Sequence, residues 1–265
     1  MHLLDQIVAY KRQEIEKAKN LKSASALKRT DLFQRSVSSM RKSILSNIHG
    51  GIIAEFKRKS PSKQDINLNA IPSLVAHGYT EAGVAGISVL TDTHFFGGNN
   101  SDLLEVRANT SLPVLRKEFI IDTYQLIEAK SIGADCILLI ARILKKEELR
   151  SLTHQAHDLG MEVLIEVHNQ EELDKCPDNM DLIGINNRDL DTFKVDYDNS
   201  KKLQSQLPKD LCQIAESGLS DIKVMKNLHD SGFNGFLIGE AFMRDSAPGE
   251  KCITFLTDYY DQFKC

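Results

Sequence analysis

"GIIAEFKRKSPSK" spans residues 51–63, and its two halves have opposite character. Ile52, Ile53 and Ala54 form an apolar run of the kind found in strands buried on both faces. Glu55, Lys57, Arg58, Lys59 and Lys63 follow at once, although charged side chains are costly to bury without partners. Period-two alternation sorts the stretch into faces, with Ile53, Glu55 and Lys57 on one side and Ile52, Ala54 and Phe56 on the other. If the second face packs on helices, the strand delivers a carboxylate and an amine together to the mouth of a closed sheet. "RKSPSK" then reads as the loop that closes over a ligand.

The same rhythm continues to the end of the chain. Short apolar runs recur at 51–57, 86–92, 112–119, 136–140, 161–167, 182–186, 211–217 and 235–239. Between them lie segments such as "DTYQLIEAKSIGAD" and "KKEELRSLTHQAHDLGM", with helical periodicity and a glycine where a C-terminal cap belongs. Strands alternating with helices predict right-handed βαβ units and a parallel sheet. Eight of them fit a closed (β/α)8 TIM barrel better than an open doubly wound sheet. No G-x-G-x-x-G follows the first strand, which counts against a dinucleotide-binding fold.

Residues 1–48 break the rhythm. Leu3, Leu4, Ile7, Val8 and Ile15 recur at helical spacing among Lys, Arg and Glu, and 36–48 reads as a second helix. The expected organisation is one domain over 1–265, with an N-terminal helical extension at 1–48 packed on a barrel at 51–265. A chain of 265 residues suits one barrel of about 250 residues.

Composition narrows the function classes. The net charge is −4 and the pI near 6.1, with Lys and Arg spread along the chain, so nucleic-acid binding is not indicated. The five cysteines are widely spaced with no C-x-x-C pair, which argues against a disulfide framework or a zinc site and for a reducing compartment. No apolar run approaches membrane-spanning length, and residues 1–20 lack the apolar core expected of a signal peptide. A cytoplasmic location, with no membrane partner and no metal, is expected.

In such barrels the site lies at the C-terminal ends of the strands. Polar groups collect there: Glu55 and Lys57 after strand one, Lys117 and Glu118 after strand three, Glu166 after strand five. Asn186 and Arg188 follow strand six, and Glu216, Ser217 and Gly218 follow strand seven. Interior ion pairs that support the fold would explain any one of these alone. Five charged strand ends converging favour a site. Lys117 reads as a Schiff-base lysine, a proton donor or a structural partner. "AESGLSD" (215–221) and "FLIGEAFMR" (236–244) each place a glycine after a strand and open a helix, the usual phosphate site of these barrels. A small phosphorylated ligand is expected. His154 and His157 read as a solvated helix face, and His94 as at most a lining residue. Phe95 and Phe96 read equally as packing or as a clamp on an aromatic substrate.

"IIAEFKRKSPSK", "LTDTHFFGG", "PVLRKEFIID", "GADCILLI", "GMEVLIEVH", "IGINNRDLDTFKVD", "AESGLS" and "FLIGEAFMR", in this order, resemble the strand-end signatures of the indole-3-glycerol phosphate synthase family over residues 1–262. The resemblance implies a carbon–carbon lyase of tryptophan biosynthesis. Such an enzyme cyclises 1-(2-carboxyphenylamino)-1-deoxyribulose 5-phosphate with loss of CO2 and water, using no cofactor. It further implies Lys117 as the general acid at the substrate carbonyl and Glu166 as the partner of the cationic intermediate. Lys57 would bind the substrate carboxylate and assist proton transfer, paired with Glu55 in dehydration, while Asn186 holds hydroxyls or orients Glu166. Ser60, Arg188 and Ser217 would line the site, Phe96 would meet the aromatic ring, and Gly218, Gly239 and Glu240 would hold phosphate through backbone N–H groups. The family reading implies a monomer or weak homo-oligomer, in association with other enzymes of the pathway. Gln64 stands where many relatives have glycine, and Glu240 where some have serine. A carboxylate repels phosphate, so the Glu240 side chain is expected to turn outward. A sugar-phosphate isomerase, a Schiff-base aldolase and a non-catalytic phosphate binder remain alternatives on the same barrel.

Overall fold

In the computed structural model, which describes residues 3–189 and 192–264, the apolar runs become eight parallel strands. They are β1 (Gly51–Phe56), β2 (Gly86–Leu90), β3 (Val114–Lys117), β4 (Cys136–Ile140), β5 (Glu162–Val167), β6 (Leu182–Asn186), β7 (Cys212–Glu216) and β8 (Gly235–Ile238). Each pairs with the next, and β8 pairs back onto β1, so the barrel is closed and exposes no sheet edge. Twelve α-helices accompany the strands among the described residues: α1 (Leu3–Leu21), α2 (Ala24–Leu27), α3 (Met40–Leu45), α4 (Pro72–Glu81), α5 (Asn100–Ala108), α6 (Thr123–Ser131), α7 (Lys146–Asp158), α8 (Gln170–Leu173), α9 (Tyr197–Gln204), α10 (Ile222–Ser231), α11 (Glu240–Met243) and α12 (Pro248–Asp261).

Alternation divides the barrel as expected. Ile52, Ala54 and Phe56 join the outer core between sheet and helices, while Ile53, Leu115, Leu138, Leu164, Ile214 and Leu237 fill the interior. The register stacks that interior in layers. Glu55 lies opposite Ser88, and Ser88 opposite Leu115, so the residue level with Glu55 about the barrel axis is Lys117, two places on. The same step leads from Lys117 through Leu138 and Leu164 to Glu166, then through Gly184 and Ile214 to Glu216. Four steps of two close the circuit, as a shear of about 8 requires. One charged layer from the odd strands therefore rests on an apolar one: Ile53, Leu115, Leu164 and Ile214.

The N-terminal segment covers both ends of this core. Ile7, Lys11 and Ile15 are the buried stripe of α1, and Leu3, Leu4 and Ile7 overlie the strand C-termini. Met40 and Ile44 of α3 close the opposite end. Room for α3 comes from glycine: a Cβ on Gly51 would lie 2.7 Å from the Ile44 backbone, and one on Gly86 would lie 2.3 Å from Met40 Sδ. The helix expected over 36–48 is confined to Met40–Leu45, because Ser39 caps it by accepting from Lys42 N at 3.0 Å. Residues 35–38 instead engage the barrel floor. There Asp135, wholly buried, accepts from Arg35 (2.5 Å), Ser38 N (2.7 Å), Arg107 (2.8 Å) and Val114 N (2.9 Å).

Candidate active site

A cavity of about 350 Å³ opens at the C-terminal ends of the strands. Glu55, Lys57, Ser60, Phe96, Lys117, Glu166, Asn186, Arg188, Ser217, Gly218, Gly239 and Glu240, all named from sequence, line this one space. A second hollow of about 540 Å³ lies between the end of α1, α5 and α6. The converging titratable groups are in the barrel mouth, and chemistry identifies a site better than size.

Lys117 is the centre of the charged layer. Its Nζ pairs with Glu216 and lies 3.4 Å from Glu166 Oε2. Burial works against its charge, but Glu216, Glu166 and Glu55 outweigh burial and hold the ammonium above the usual lysine range. The two flanking carboxylates are driven apart. Burial lifts Glu216, and with Glu166 nearby this prevails over Lys117, leaving its carboxyl raised to about 7. Burial also pushes Glu166 up, but Lys117 and then His168 overcome it and keep Glu166 below the usual carboxylate range. Asn186 Nδ2 donates to Glu166 Oε1 at 3.1 Å, while Asn186 Oδ1 accepts from Arg188 N at 3.0 Å, which orients the amide. A neutral-leaning carboxyl and an ionised one on either side of an ammonium form an arrangement suited to acid–base chemistry.

Across the mouth Lys57 Nζ lies 2.7 Å from Glu55 Oε1. Lys57 is one residue past β1, so the chain continues from it directly into the loop at 58–66. That loop is anchored before it reaches the cavity. Arg58 pairs with buried Asp102 and stacks 4.8 Å over the Phe56 ring, and its carbonyl accepts from Ile66 N and Asn67 N at 3.0 Å each. Ser60, Pro61 and Ser62 then reach the cavity.

Glycines set the tolerances. A Cβ on Gly184 would lie 2.0 Å from Glu216 Oε1, and one on Gly239 would lie 2.6 Å from Glu55 Oε1. Both carboxylates occupy space that a side chain would take. After β7, Ser217 and Gly218 are both left-handed, at φ 69° and 74°. Serine rarely adopts that conformation, and here it re-aims the backbone at the cavity rim. Asn187 Nδ2 donating to Ser217 O (2.9 Å) and Tyr197 Oη donating to Gly218 O (2.7 Å) hold the turn.

Several expectations need correction. Glu240 does not turn outward alone: its carboxylate sits between Lys63, at 3.2 Å, and Arg244. Both cations, with burial opposing them, keep its pKa low. Glu118 reaches the cavity edge but points its charge at α1, 3.0 Å from Lys11 Nζ, which is also 2.8 Å from Asp92. The two phenylalanines divide. Phe96 faces the cavity beside Phe119, with centroids 5.8 Å apart, whereas Phe95 packs edge-on against Tyr10 and His94. His154 is a solvated residue, but His157 is half-buried and 2.8 Å from Asp181. Sequence reasoning placed Glu216 at a strand end without giving it a part, although its alternation with Ile214 already pointed it inward. It also missed Leu3, Leu4 and Ile7, because a stripe of apolar residues on a helix does not reveal what it covers. No cluster of metal-ligating side chains occurs among the described residues.

Comparison with known proteins agrees with this geometry. The family model described as indole-3-glycerol phosphate synthase matches residues 4–254. The indole-3-glycerol phosphate synthase of Bacteroides thetaiotaomicron is 46% identical over 254 residues, covering 96% of this chain and 97% of that protein. That of Polaromonas naphthalenivorans is 42% identical over 252 residues, covering 93% and 95%. Among solved structures, thiamine phosphate pyrophosphorylase from Pyrococcus furiosus superposes with a TM-score of 0.60 at 13% identity, covering 84% of this chain and 98% of that one. At that identity the likeness concerns the fold alone. With a closed barrel, a charged layer at its mouth and relatives matching along almost the whole length, the chain belongs to the indole-3-glycerol phosphate synthase family.

Proposed function

We propose that this chain catalyses ring closure of 1-(2-carboxyphenylamino)-1-deoxyribulose 5-phosphate to indole-3-glycerol phosphate, releasing CO2 and water, by general acid–base catalysis. The observation that carries the reading is the ammonium of Lys117 held between Glu166 and Glu216 at the mouth of the barrel. In the first half the ring carbon bearing the carboxylate attacks the ketone, and Lys117 gives its proton to the ketone oxygen as the carbon–carbon bond forms. Glu166 faces the positive charge left on the ring system. The bond to the carboxylate then breaks, its electron pair restores the ring, and CO2 leaves. In the second half Lys57 protonates the new hydroxyl, which departs as water, while Glu55 takes a proton from the neighbouring methylene carbon. At 2.7 Å that proton returns from Glu55 to Lys57, so this pair resets itself. Decarboxylation consumes one proton overall, and Glu216, with its raised pKa, is placed to return a proton to Lys117.

Phe96 packs on the aromatic ring of the substrate, Ser60, Arg188 and Ser217 line its flanks, and Asn186 holds Glu166. The glycines at 218 and 239, with the backbone of Glu240, receive the phosphate. The ligand partner is thus a small phosphorylated molecule, handled without a cofactor by a cytoplasmic monomer or weak homo-oligomer alongside other enzymes of tryptophan biosynthesis. A Schiff-base aldolase on this barrel fits the charges less well, since an imine-forming lysine must be neutral, and here three carboxylates favour the ammonium. Incubation of the purified chain with the carboxyphenylamino-deoxyribulose phosphate is expected to produce indole fluorescence. Absence of product at micromolar enzyme overturns the proposal. An adduct trapped by borohydride at Lys117 would favour the aldolase.

A further inference from the structure

The alternation that turns Glu166 inward continues past β5 to His168. Its imidazole is 8% exposed, does not line the cavity, and is bracketed by two carboxylates. Nδ1 lies 3.0 Å from Glu172 Oε2, and Nε2 lies 3.5 Å from Glu166 Oε1. Glu172 is itself fixed, accepting from His168 N at 2.8 Å and from Asn169 Nδ2 at 3.1 Å. Nε2 is fully buried with no hydrogen-bond partner among the described residues, an expensive condition unless that nitrogen has a task. A neutral ring has one donor nitrogen, whereas a ring aimed at carboxylates on both sides is best served by two, the imidazolium. The other charge facing it is Arg142, which opposes protonation. Burial opposes it more strongly, yet Glu172 and Glu166 together keep the ring's affinity for a proton above the usual histidine value. Asn199 on α9 contributes only a neutral hydrogen bond to the His168 carbonyl, at 3.2 Å.

This array stands behind the charged layer, on the opposite side of Glu166 from Lys117. The proposed reaction requires Lys117 to lose its proton while Glu166 must remain an anion facing a cationic ring. As Lys117 becomes neutral, Glu166 loses its nearest positive partner. We propose that His168, as an imidazolium held between Glu172 and Glu166, is a positioning residue that keeps Glu166 ionised and oriented once Lys117 has given up its proton. His168 touches no substrate and acts only through Glu166. The inference rests on the part assigned to Glu166 above.

Nitrogen-15 NMR of the imidazole in the unaltered, full-length chain tests the charge directly. Both ring nitrogens are expected to be protonated at pH 7, and a neutral ring there overturns the proposal whatever any variant does. His168→Gln is expected to lower kcat with little change in KM. Removing a cation raises the pKa of Glu166, so the acidic limb of kcat/KM should move to higher pH by about 1–3 units, the range for one opposite charge at this distance. Glu172→Gln, which keeps the ring but removes its anchor, should move the limb the same way. An unshifted limb in a folded His168→Gln protein overturns the inference. Glu166→Gln separates the two levels: full activity there removes the reading of the site itself, whereas an inactive Glu166→Gln beside an unshifted His168→Gln removes only the part given to His168.

Discussion

Burial alone makes a lysine easier to deprotonate, and the Lys117 side chain is only 12% exposed. That it stays charged is the work of its neighbours: Glu216, Glu166 and Glu55 outweigh burial and hold the proton on the ammonium. Lys117→Ala is expected to lower kcat about 10²–10⁴-fold, the usual cost of losing a positioned general acid, with the fold intact by circular dichroism. Glu216 is the more informative neighbour because its pKa moves the opposite way. A carboxyl raised on folding contributes stability that is complete below its unfolded pKa and is lost as pH rises through the folded value, here about 7. Glu216→Gln removes that titration. Its stability relative to the parent should therefore improve steadily between pH 5 and pH 8 in denaturant titrations, while turnover falls. A difference that does not vary with pH would sink the assignment. A group that costs stability at working pH yet touches the central lysine is the trade expected of a functional residue.

At the scale of elements, α1 shows how a helix is fastened over a site without sealing it. Its apolar residues roof the cavity, but its register is set by Lys11, 4% exposed and shared between Asp92 and Glu118. Asp92 Oδ1 also accepts from Phe95 N and Phe96 N, at 2.7 and 3.2 Å, so one buried charge holds the helix, the end of β3 and the loop presenting Phe96. Lys11→Met removes the ammonium that two buried carboxylates share and should cost about 3–5 kcal/mol, together with a raised KM for the aromatic substrate. The pH dependence has a definite sign. Despite burial, Lys11 and Arg116 hold Glu118 below the usual carboxylate range, so its contribution is present above the unfolded carboxylate pKa and is lost as pH falls through the lower folded value. The deficit of Lys11→Met should accordingly shrink in acid, and a deficit that persists unchanged at low pH would contradict the assignment. The loop at 58–66 is held by charge at two points, through Arg58 to Asp102 and Lys63 to Glu240.

Over the whole molecule, the floor of the barrel carries a buried charge cluster remote from the cavity. At the floor Asp135 gathers Arg35, Ser38, Arg107 and Val114 onto one carboxylate, and no member of that group lines the cavity. Asp135→Ala should therefore cost about 3–5 kcal/mol, visible as a Tm lowered by roughly 10 °C for a chain of this size. At temperatures where the variant is folded, kcat should stay near normal, and a large loss there would show that the two ends are coupled. The layered plan was legible in the sequence to the extent that it depends on period-two alternation. The inward set Ile53, Glu55 and Lys57, the eight strands and the polar strand ends all follow from which neighbours a pleated chain separates. Alternation is local, however, and says nothing about height around a closed barrel. That Glu55, Lys117, Glu166 and Glu216 stand in one layer follows from the shear of the sheet, a property of all eight strands together. The same holds for the partners of single charges. Sequence alone determined the barrel, the end at which polar groups gather and most of the polar side chains lining the cavity there, because hydrophobic periodicity and strand-end polarity are carried by neighbours in the chain. Only the tertiary structure decided that Glu216 pairs with Lys117, that Glu240 holds Lys63, that α1 roofs the mouth and that His168 backs Glu166, because those contacts join residues distant in sequence or depend on side-chain paths that closure of the barrel selects.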